Sequence, residues 1–216
     1  MKAVIISGFL DNISDNIIPF LDKETDVYVH TWKKPNSKHS RWVVKLNRYK
    51  KFCNRLKINI EDPIYDLKLF SYFYSTHKAV TSIENIDSYD YILKFKPNLD
   101  TEKINFNCNI KESFNTAKFL SRPLLDSILI DECIFGLKYY KTLDERMFIG
   151  KPFAFKKIFL NLNTDLDTEM KNIHRGLKQK YGKNYEGSIF WTEWINKKGI
   201  KVLQSIGSKL SNNIYE

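Results

Sequence analysis

The sequence predicts an α/β protein with a mixed, mainly parallel sheet flanked by helices. In the first hundred residues, short apolar or β-branched runs alternate with segments whose apolar residues recur every three to four positions. This order is typical of parallel strands joined by crossover helices. The chain has 216 residues, of which 43% are hydrophobic and 14% aromatic. A chain of this length and composition can bury a core without a metal or a disulfide.

Four strands are predicted in the first half of the chain. AVIISG (3–8) is a continuous apolar run, which is typical of a strand buried on both faces. The further strands are DVYVHTW (26–32), KINIED (57–62) and YDYILKFK (89–96). Between the strands we predict a short helix over 11–24 broken at Pro19, an amphipathic helix within 33–57, and a helix with the apolar face Leu67, Phe70, Phe73, Tyr74, His77 and Val80.

The second half of the chain is less regular. We predict strands over 117–122, 133–140, 146–150 and 201–206, and helices over 152–161, 165–180 and 186–198. No internal repeat and no linker rich in Pro, Gly or Ser divides the sequence. We therefore expect one domain over residues 1–216, with a regular half up to about residue 100 and a mixed half from 101.

The net charge of +10 comes from one segment. Residues 33–57 contain ten Lys or Arg and no acidic residue, whereas the rest of the chain is balanced. The apolar positions of this segment are Trp42, Val43, Leu46, Tyr49, Cys53 and Leu56, which leaves Lys45, Arg48, Lys51 and Arg55 on other faces of the helix. The segment is either a solvated helix face or a surface for phosphates, nucleic acid or anionic lipids.

Several classes of protein are excluded by missing motifs. The sequence has no GxGxxG, no Walker loop, no GxSxG and no His/Cys cluster at zinc spacing, which argues against dehydrogenases, P-loop NTPases and α/β-hydrolases. The three cysteines form no CxxC pair, and the longest apolar stretch near the start, AVIISGFL (3–10), is too short to span a bilayer. We expect a cytoplasmic protein with reduced thiols.

Five stretches, in this order, resemble the motifs of small GT-A glycosyltransferases. They are SGFLDN (7–12), TDVYVHTW (25–32), FYSTHKAV (73–80), YDYILKFKPNLD (89–100) and DERMFIGKP (144–152), with a weaker similarity in YEGSIFWTEWI (185–195). The chain is most similar to WavE-like lipopolysaccharide and capsule transferases and to the glycosyltransferase domain of chlorella viruses. The resemblance implies a GT-A fold whose first half binds a nucleotide sugar and whose second half serves the acceptor.

The resemblance also implies a metal site, with departures from the family pattern. The family's arginine after the first strand is Asp11 here, and its R-x-R is Lys94-Phe95-Lys96. Its metal-binding D-x-D falls on Asn98-Leu99-Asp100, so Asp100 is the implied ligand of Mn²⁺ or Mg²⁺. Oxygen ligands suit these ions. Without the resemblance, the residues favour Asp100 as a turn residue after Pro97-Asn98.

The remaining site residues are implied by the same alignment of motifs. Lys94 and Lys96 would bind the diphosphate, and Asp144 or Glu145 would deprotonate the acceptor as catalytic base. The other implied donor-binding residues are Ser7, Gly8, Phe9, His30, Thr31, Trp32, Ser75, Lys78 and Asn98. Each has a structural alternative: the two lysines on a solvated sheet edge, the carboxylates in a turn, His30 as a buried structural residue and Lys78 as a surface lysine. His174 is a further candidate ligand or a solvated helix residue.

The function implied is that of a metal-dependent hexosyl- or deoxyhexosyltransferase. Its donor would be a nucleoside diphosphate sugar, most naturally a UDP-sugar such as UDP-glucose, and its acceptor a glycan, glycolipid or glycoprotein. A viral or bacterial source fits the family. The basic segment 33–57 adds an anionic membrane surface as a candidate peripheral partner. The alternative hypothesis is a nucleic-acid-binding protein that uses this segment, although no recognised nucleic-acid-binding motif is present and no such partner is expected.

Overall fold

Seven strands form one sheet in the order β3-β2-β1-β4-β6-β5-β7. A computed structural model describes residues 1–8, 17–18, 21–33, 44, 46–97, 131–139, 142–183 and 185–204. The strands are β1 (Lys2–Ser7), β2 (Thr25–Trp32), β3 (Arg55–Glu61), β4 (Tyr91–Phe95), β5 (Cys133–Tyr139), β6 (Thr142–Gly150) and β7 (Lys201–Gln204).

The sheet is mixed and mainly parallel, as predicted. Strands β3, β2, β1 and β4 pair in parallel, and β7 pairs in parallel with β5. Strand β6 runs antiparallel to both of its neighbours, β4 and β5. Consequently β6 begins at the edge of the sheet where β4 ends.

Four α-helices are present in the described residues: α1 (Lys68–Thr81), α2 (Pro152–Phe155), α3 (Leu166–Tyr181) and α4 (Gly187–Lys197). Shorter helices are the 3₁₀ turns Arg48–Lys51 and Ile86–Ser88 and the π-helix Lys156–Leu160. Capping residues define both ends of helix α3. The Asp165 carboxylate accepts a hydrogen bond from the Thr168 amide at 2.9 Å, and Gly182 ends the helix with a φ of 84°.

Two hydrophobic cores lie on opposite faces of the sheet. Alternate residues of β1 divide between them, with Ala3 and Ile5 in one core and Val4 and Ile6 in the other. The first core is covered by α1, α2, the π-helix, α3 and α4. The second is closed by apolar residues outside the sheet, namely Ile17, Leu21, Leu46, Tyr49 and Cys53. The described cysteines, Cys53 and Cys133, are buried free thiols, as expected.

One backbone amide and two side chains donate hydrogen bonds to the carbonyl groups of the π-helix. The amide of Asn161 donates to the carbonyl of Lys156 at 2.9 Å, which is the i→i−5 bond of a π-turn. The His77 Nδ1–H of α1 donates to the Phe159 carbonyl at 2.7 Å, and the Trp194 Nε1–H of α4 donates to the Ile158 carbonyl at 2.9 Å. The predicted helix over 152–161 is therefore an α-turn that continues as a π-turn.

The helix predicted within 33–57 is wrong at its end. Leu46, Tyr49 and Cys53 are buried as predicted, but β3 begins at Arg55 because the chain pairs there with β2, from Asp26↔Arg55 onward. Backbone pairing with a central strand outweighs the helical spacing of the side chains. The strand predicted over 117–122 lies outside the described residues, as does the helix predicted over 11–24 except residues 17–18 and 21–24.

In the part of the chain that the structure describes, no helix combines the length and the apolar character needed to cross a membrane.

Candidate functional site

The carboxyl ends of β1, β2 and β4 meet the start of β6 along one edge of the sheet, here called the carboxyl edge. The strand order changes direction at β1: β2 and β3 lie on one side of β1, and β4 lies on the other. Such a switch point is where ligands of open α/β sheets bind. Gly8 follows β1 there, its amide donating to the His30 carbonyl at 3.2 Å, and the Lys96 amide donates to the Arg146 carbonyl at 2.8 Å. Ser7, Gly8, Thr31, Trp32 and Lys96, all implied as donor-binding residues, therefore lie along one edge.

A buried network of hydrogen bonds connects Gly8 to helix α1. Its amide also donates to Ser75 Oγ at 2.8 Å, and Ser75 Oγ lies 2.9 Å from both the carbonyl oxygen and Nδ1 of His30. Ser7 Oγ lies 2.7 Å from Thr76 Oγ1 of the same helix. Ser7, His30 and Ser75 are wholly buried. Their hydrogen bonds fasten the ends of β1 and β2 to α1, which favours the structural interpretation of His30.

His30 also faces a charged pair at the end of β3. Its Nε2 lies 3.5 Å from Glu61 Oε2, and Lys78 Nζ lies 3.6 Å from Glu61 Oε1. Burial lowers the pKa of His30, and Glu61 opposes this only in part. Burial raises the pKa of Glu61, but His30 and Lys78 more than offset it and the net shift is downward. Lys78, predicted as a donor-binding residue, is thus half-buried in an ion pair and is not a plain surface lysine.

Lys94 is enclosed by aromatic rings under the carboxyl edge. Its side chain is 0% exposed, and Nζ lies 4.2 Å from the ring centroid of Tyr72 and 5.0 Å from that of Trp191. The ammonium group donates to Tyr72 Oη and to the backbone carbonyl of Glu145. Because β4 is a central strand, the alternative of a solvated sheet edge is wrong for Lys94. Instead, this cation links α1 to β6.

Lys96 and Glu145 are the half-exposed charged residues of this edge that the sequence predicted. Lys96 Nζ lies 4.9 Å from the ring centroid of Tyr72, which also contacts Lys94, so the two lysines lie on the same face of the sheet. Tyr72 Oη donates to the Glu145 carbonyl at 3.0 Å. A Cβ placed on Gly187 would lie 3.9 Å from Glu145 Oε1, so the carboxylate lies beside the start of α4.

The remaining predicted residues are buried, lie away from this edge, or lie outside the described residues. Thr31 and Trp32 are buried at the end of β2, and Trp32 stacks on Tyr74 with ring centroids 5.5 Å apart. His174 lies away from these residues, with Nδ1 against Tyr185 Oη and its ring 5.3 Å from that of Phe70. Phe9, Asn98 and Asp100 lie outside the described residues, as does the side chain of Asp144 on β6.

The predicted metal site accordingly has no described ligands. Within the described ranges, no group of three or more His, Cys, Asp or Glu side chains is placed to hold a metal ion. The predicted ligand Asp100 lies outside these ranges, so the metal site stays a prediction.

Three residues of the carboxyl edge were missed by the sequence interpretation. Tyr72 is absent from the apolar face assigned to its helix, yet it touches both lysines and packs over Gly8. Glu61 and Tyr74 complete the contacts of His30 and Trp32. The signal available was positional: Glu61 is the second-last residue of the strand predicted over 57–62, which places it at the same edge as the other strand ends.

Comparisons with known proteins place this geometry in a fold. The sequence matches no protein-family model and no curated protein. The structure is similar to the glycosyltransferase GlyE of Streptococcus pneumoniae TIGR4, with a TM-score of 0.52 and 6% identity over 94% of this chain and 45% of that one. The apo form of GlyE gives a TM-score of 0.48, with 8% identity over 94% of this chain and 44% of that one. S. aureus TarS 1–349, in complex with UDP, gives a TM-score of 0.43, with 12% identity over 91% of this chain and 71% of that one.

The chain thus spans less than half of the length of GlyE, the first of these structures. At this identity the likeness concerns the fold. The mixed, mainly parallel seven-stranded sheet with helices on it is GT-A-like and is similar in fold to the glycosyltransferase GlyE.

Proposed function

We propose that the protein is a glycosyltransferase that moves a sugar from a nucleoside diphosphate sugar, a UDP-sugar, to a glycan, glycolipid or glycoprotein. One observation carries the proposal. At the carboxyl edge of a GT-A-like fold, Lys96 Nζ lies over the ring of Tyr72, the Glu145 backbone carbonyl accepts from Tyr72 Oη, and both Lys96 and Glu145 are half-exposed. A cation for the leaving diphosphate and a carboxylate for the acceptor are the two charges that the reaction needs.

The proposed reaction assigns one task to each group. The acceptor oxygen forms a bond to the anomeric carbon, while the bond from that carbon to the diphosphate breaks and its electron pair leaves with the phosphate oxygen. Lys96 stabilises the negative charge that develops on the diphosphate. Glu145, or Asp144 before it, takes the proton of the acceptor hydroxyl.

Lys94 contributes in a different way from Lys96. It is buried and donates to Tyr72 and to the Glu145 carbonyl, so it holds both in place and adds positive potential beneath the diphosphate. A buried charge acts through a low local dielectric, where its field is stronger than in water. We propose that Lys96 contacts the diphosphate directly and that Lys94 orients the edge around it.

Calorimetric titration with UDP and a panel of UDP-sugars tests the proposal. Lys96→Met should weaken UDP binding by about tenfold, the effect of losing one charge-assisted contact. Lys23→Met is the matched control, because Lys23 precedes β2 at the opposite edge of the sheet and is exposed. Absence of UDP or UDP-sugar binding to the wild type would refute a UDP-sugar donor, and binding of an oligonucleotide instead would favour the nucleic-acid alternative.

We further propose that Asp100, beside Asn98, holds the Mn²⁺ or Mg²⁺ that the resemblance implies. Such an ion would add positive charge at the departing diphosphate. Asp100→Ala should abolish Mn²⁺-dependent tightening of UDP binding and leave thermal stability nearly unchanged, whereas Asn98→Asp should tighten Mn²⁺ binding. UDP titration of each variant with and without Mn²⁺ is the readout, and an unchanged Mn²⁺-dependent gain in UDP affinity in Asp100→Ala would refute the assignment.

A further inference from the structure

Strand β3 forms one outer edge of the sheet. In the described ranges it pairs with β2 alone, without a register shift, and β7 forms the other outer edge. The Glu61 carbonyl accepts from the Lys33 amide on the β2 side at 2.8 Å. Backbone groups of successive strand residues point to alternate sides, so the N–H and C=O groups of Leu56, Ile58 and Ile60 point away from β2. Such a free edge is a template for a further strand.

The sequence of β3 complements itself when a second copy runs antiparallel to it about a two-fold axis at Ile58. The opposed residues are then Arg55 with Glu61, Leu56 with Ile60, Lys57 with Asn59, and Ile58 with itself. The residues whose backbone points outward oppose one another, which is the arrangement of hydrogen-bonded pairs in an antiparallel ladder. This pairing gives about six backbone hydrogen bonds, two for each hydrogen-bonded pair.

Apolar side chains on one face of β3 match in this pairing. Leu56 and Ile58 pack against the second core but remain half-exposed, and Ile60, two residues further along the same face, is also half-exposed. In the antiparallel pair, Leu56 lies beside Ile60 of the second copy, and Ile58 lies beside its own equivalent. Opposed apolar side chains on a ladder shield one another from water and stabilise the pair.

The charged residues on the other face of β3 select the antiparallel direction. Arg55 and Lys57, at the start of the strand, share one carboxylate, Glu84, at 3.2 and 3.0 Å. Glu61, at the end of the strand, is half-exposed and lies 3.6 Å from Lys78 Nζ. An antiparallel second copy places Arg55 opposite Glu61 at both ends of the interface. A parallel copy in register would instead place each cation opposite itself.

Other antiparallel registers are less favourable. A shift by one residue turns the outward backbone groups of one copy away from those of the other. A two-fold axis at Lys57 would bring this cation opposite itself, and an axis at Asn59 would bring Leu56 opposite the charged Asp62. The strand also contains no proline and no bulge, two devices that often block a free edge.

We propose that two copies of the chain associate through β3, antiparallel and about a two-fold axis at Ile58, so that the sheet continues from one copy into the other. The interface is small, and the dimer therefore depends on protein concentration. Because the pairing occupies β3 of both copies, assembly stops at two. The carboxyl edges of the two copies lie on opposite edges of the joined sheet. This association does not depend on the proposed donor or acceptor.

Sedimentation equilibrium of the full chain tests the proposal at concentrations from about 1 µM to about 1 mM, which include the affinities of small interfaces. We expect the average mass to rise with concentration from that of one copy towards that of two. A wild type that stays monomeric across this range, or that assembles beyond two copies, would overturn the proposal.

Substitutions on β3 test whether this strand is the interface. Ile58→Pro removes an outward amide that β2 does not use and should leave only monomer. Arg55→Glu places a carboxylate opposite Glu61 and should raise the dissociation constant at least tenfold. Lys51→Glu is the matched control, because it makes the same change of charge at an exposed residue of the 3₁₀ turn and should change nothing. A dimer that survives Ile58→Pro, or that Lys51→Glu weakens equally, excludes β3.

A mixture of two charge variants tests the direction of the pairing. Glu61→Lys places a cation opposite Arg55 and should be monomeric by itself, as should Arg55→Glu. Mixed together, they restore opposite charges at both ends of the interface, so a heterodimer should form at a concentration where neither variant associates alone. Thermal unfolding checks that each variant is folded. A mixture of folded variants that stays monomeric would contradict the antiparallel register.

Hydrogen exchange tests the wild type without any substitution, which matters because Glu61 also contacts His30 and Lys78. The peptide that contains β3 should exchange its outward amides more slowly at high than at low protein concentration. The peptide that contains β7, the other outer strand, is the control and should exchange at the same rate at both concentrations. Slower exchange in β7 but not in β3 would place the interface elsewhere and overturn the proposal.

Discussion

Gly8 is the residue whose backbone the carboxyl edge constrains most directly. Its φ of 117° lies in a region that side chains rarely adopt, and a Cβ there would lie 3.0 Å from Tyr72 Cδ2. Gly8→Ala should destabilise the protein by about 1–3 kcal/mol, because the added carbon strains the backbone and displaces Tyr72. Chemical denaturation measures the change. A matched glycine is Gly176 in α3, where a Cβ meets nothing within 4 Å.

Gly176→Ala should have the opposite sign and stabilise the protein by about 0.5–1 kcal/mol, since alanine is the better helix former. Equal effects of the two substitutions would contradict the claim that Gly8 is held by its conformation and by Tyr72. The sequence predicted that Gly8 ends a strand. It did not predict the contact with Tyr72, because a spacing pattern assigns a residue to a helix face but not to a partner across the sheet.

Among the elements, the π-helix Lys156–Leu160 depends on donors from two other helices. His77 of α1 and Trp194 of α4 donate to the Phe159 and Ile158 carbonyls. His77→Ala should lower the free energy of unfolding by about 1–3 kcal/mol, the cost of a buried acceptor left without its donor. His77→Asn, which keeps a donor on a short side chain, should lose less. Equal losses in urea denaturation would show that packing alone decides the effect.

The bounds of some strands and helices were predicted more accurately than those of others. Strands β1, β2 and β4 were predicted closely, because a run buried on both faces has no competing periodicity. The segment before β3 was assigned to a helix up to Leu56, because its apolar residues keep helical spacing while the backbone pairs with β2 from Arg55. The enclosure of Lys94 could not be predicted, since it depends on Tyr72 and Trp191 from helices distant in sequence.

For the molecule as a whole, the histidines set a pH dependence of stability. Burial lowers the pKa values of His30, His77 and His174 below the ordinary 6.5. The unfolded chain therefore binds more protons than the folded chain just below pH 6.5, so stability is fully present above that pH and falls as the pH is lowered. We expect the melting temperature to decrease between pH 7 and pH 5, before most carboxylates titrate.

His77→Gln should flatten this decrease, since it removes one of the three groups. The control is Glu84→Gln on the surface. Glu84 pairs with Arg55 and Lys57 and has a lowered pKa, so its effect belongs near and below pH 4.5. A melting temperature that is constant from pH 7 to pH 5 would contradict the assignment of the buried neutral histidines.

The net charge of the molecule gives a second prediction at this scale. Arg48 and Lys51 are exposed on the 3₁₀ turn of the basic segment, whereas Arg55, expected to join them, lies in β3 and pairs with Glu84 at 3.2 Å. The combined substitution of Lys45, Arg48 and Lys51 by Gln should weaken binding to anionic vesicles and reduce its salt dependence. Arg55→Gln should change vesicle binding much less. Sedimentation with vesicles at two salt concentrations distinguishes the two results.

The antiparallel course of β6 has a consequence for insertions and deletions. Lys96 follows β4 and Glu145 belongs to β6, yet the two are held together by direct pairing of these strands, with Phe95 opposite Met147. Their separation is therefore fixed by hydrogen-bond register and not by the length of chain between residues 98 and 130. Insertions or deletions between Asp100 and β5 that leave the pairing of β4 with β6 intact would not move one charge relative to the other. A shift of one residue in the pairing of β6 would instead bring Arg146 to the place of Glu145 and reverse the sign of the charge beside the start of α4.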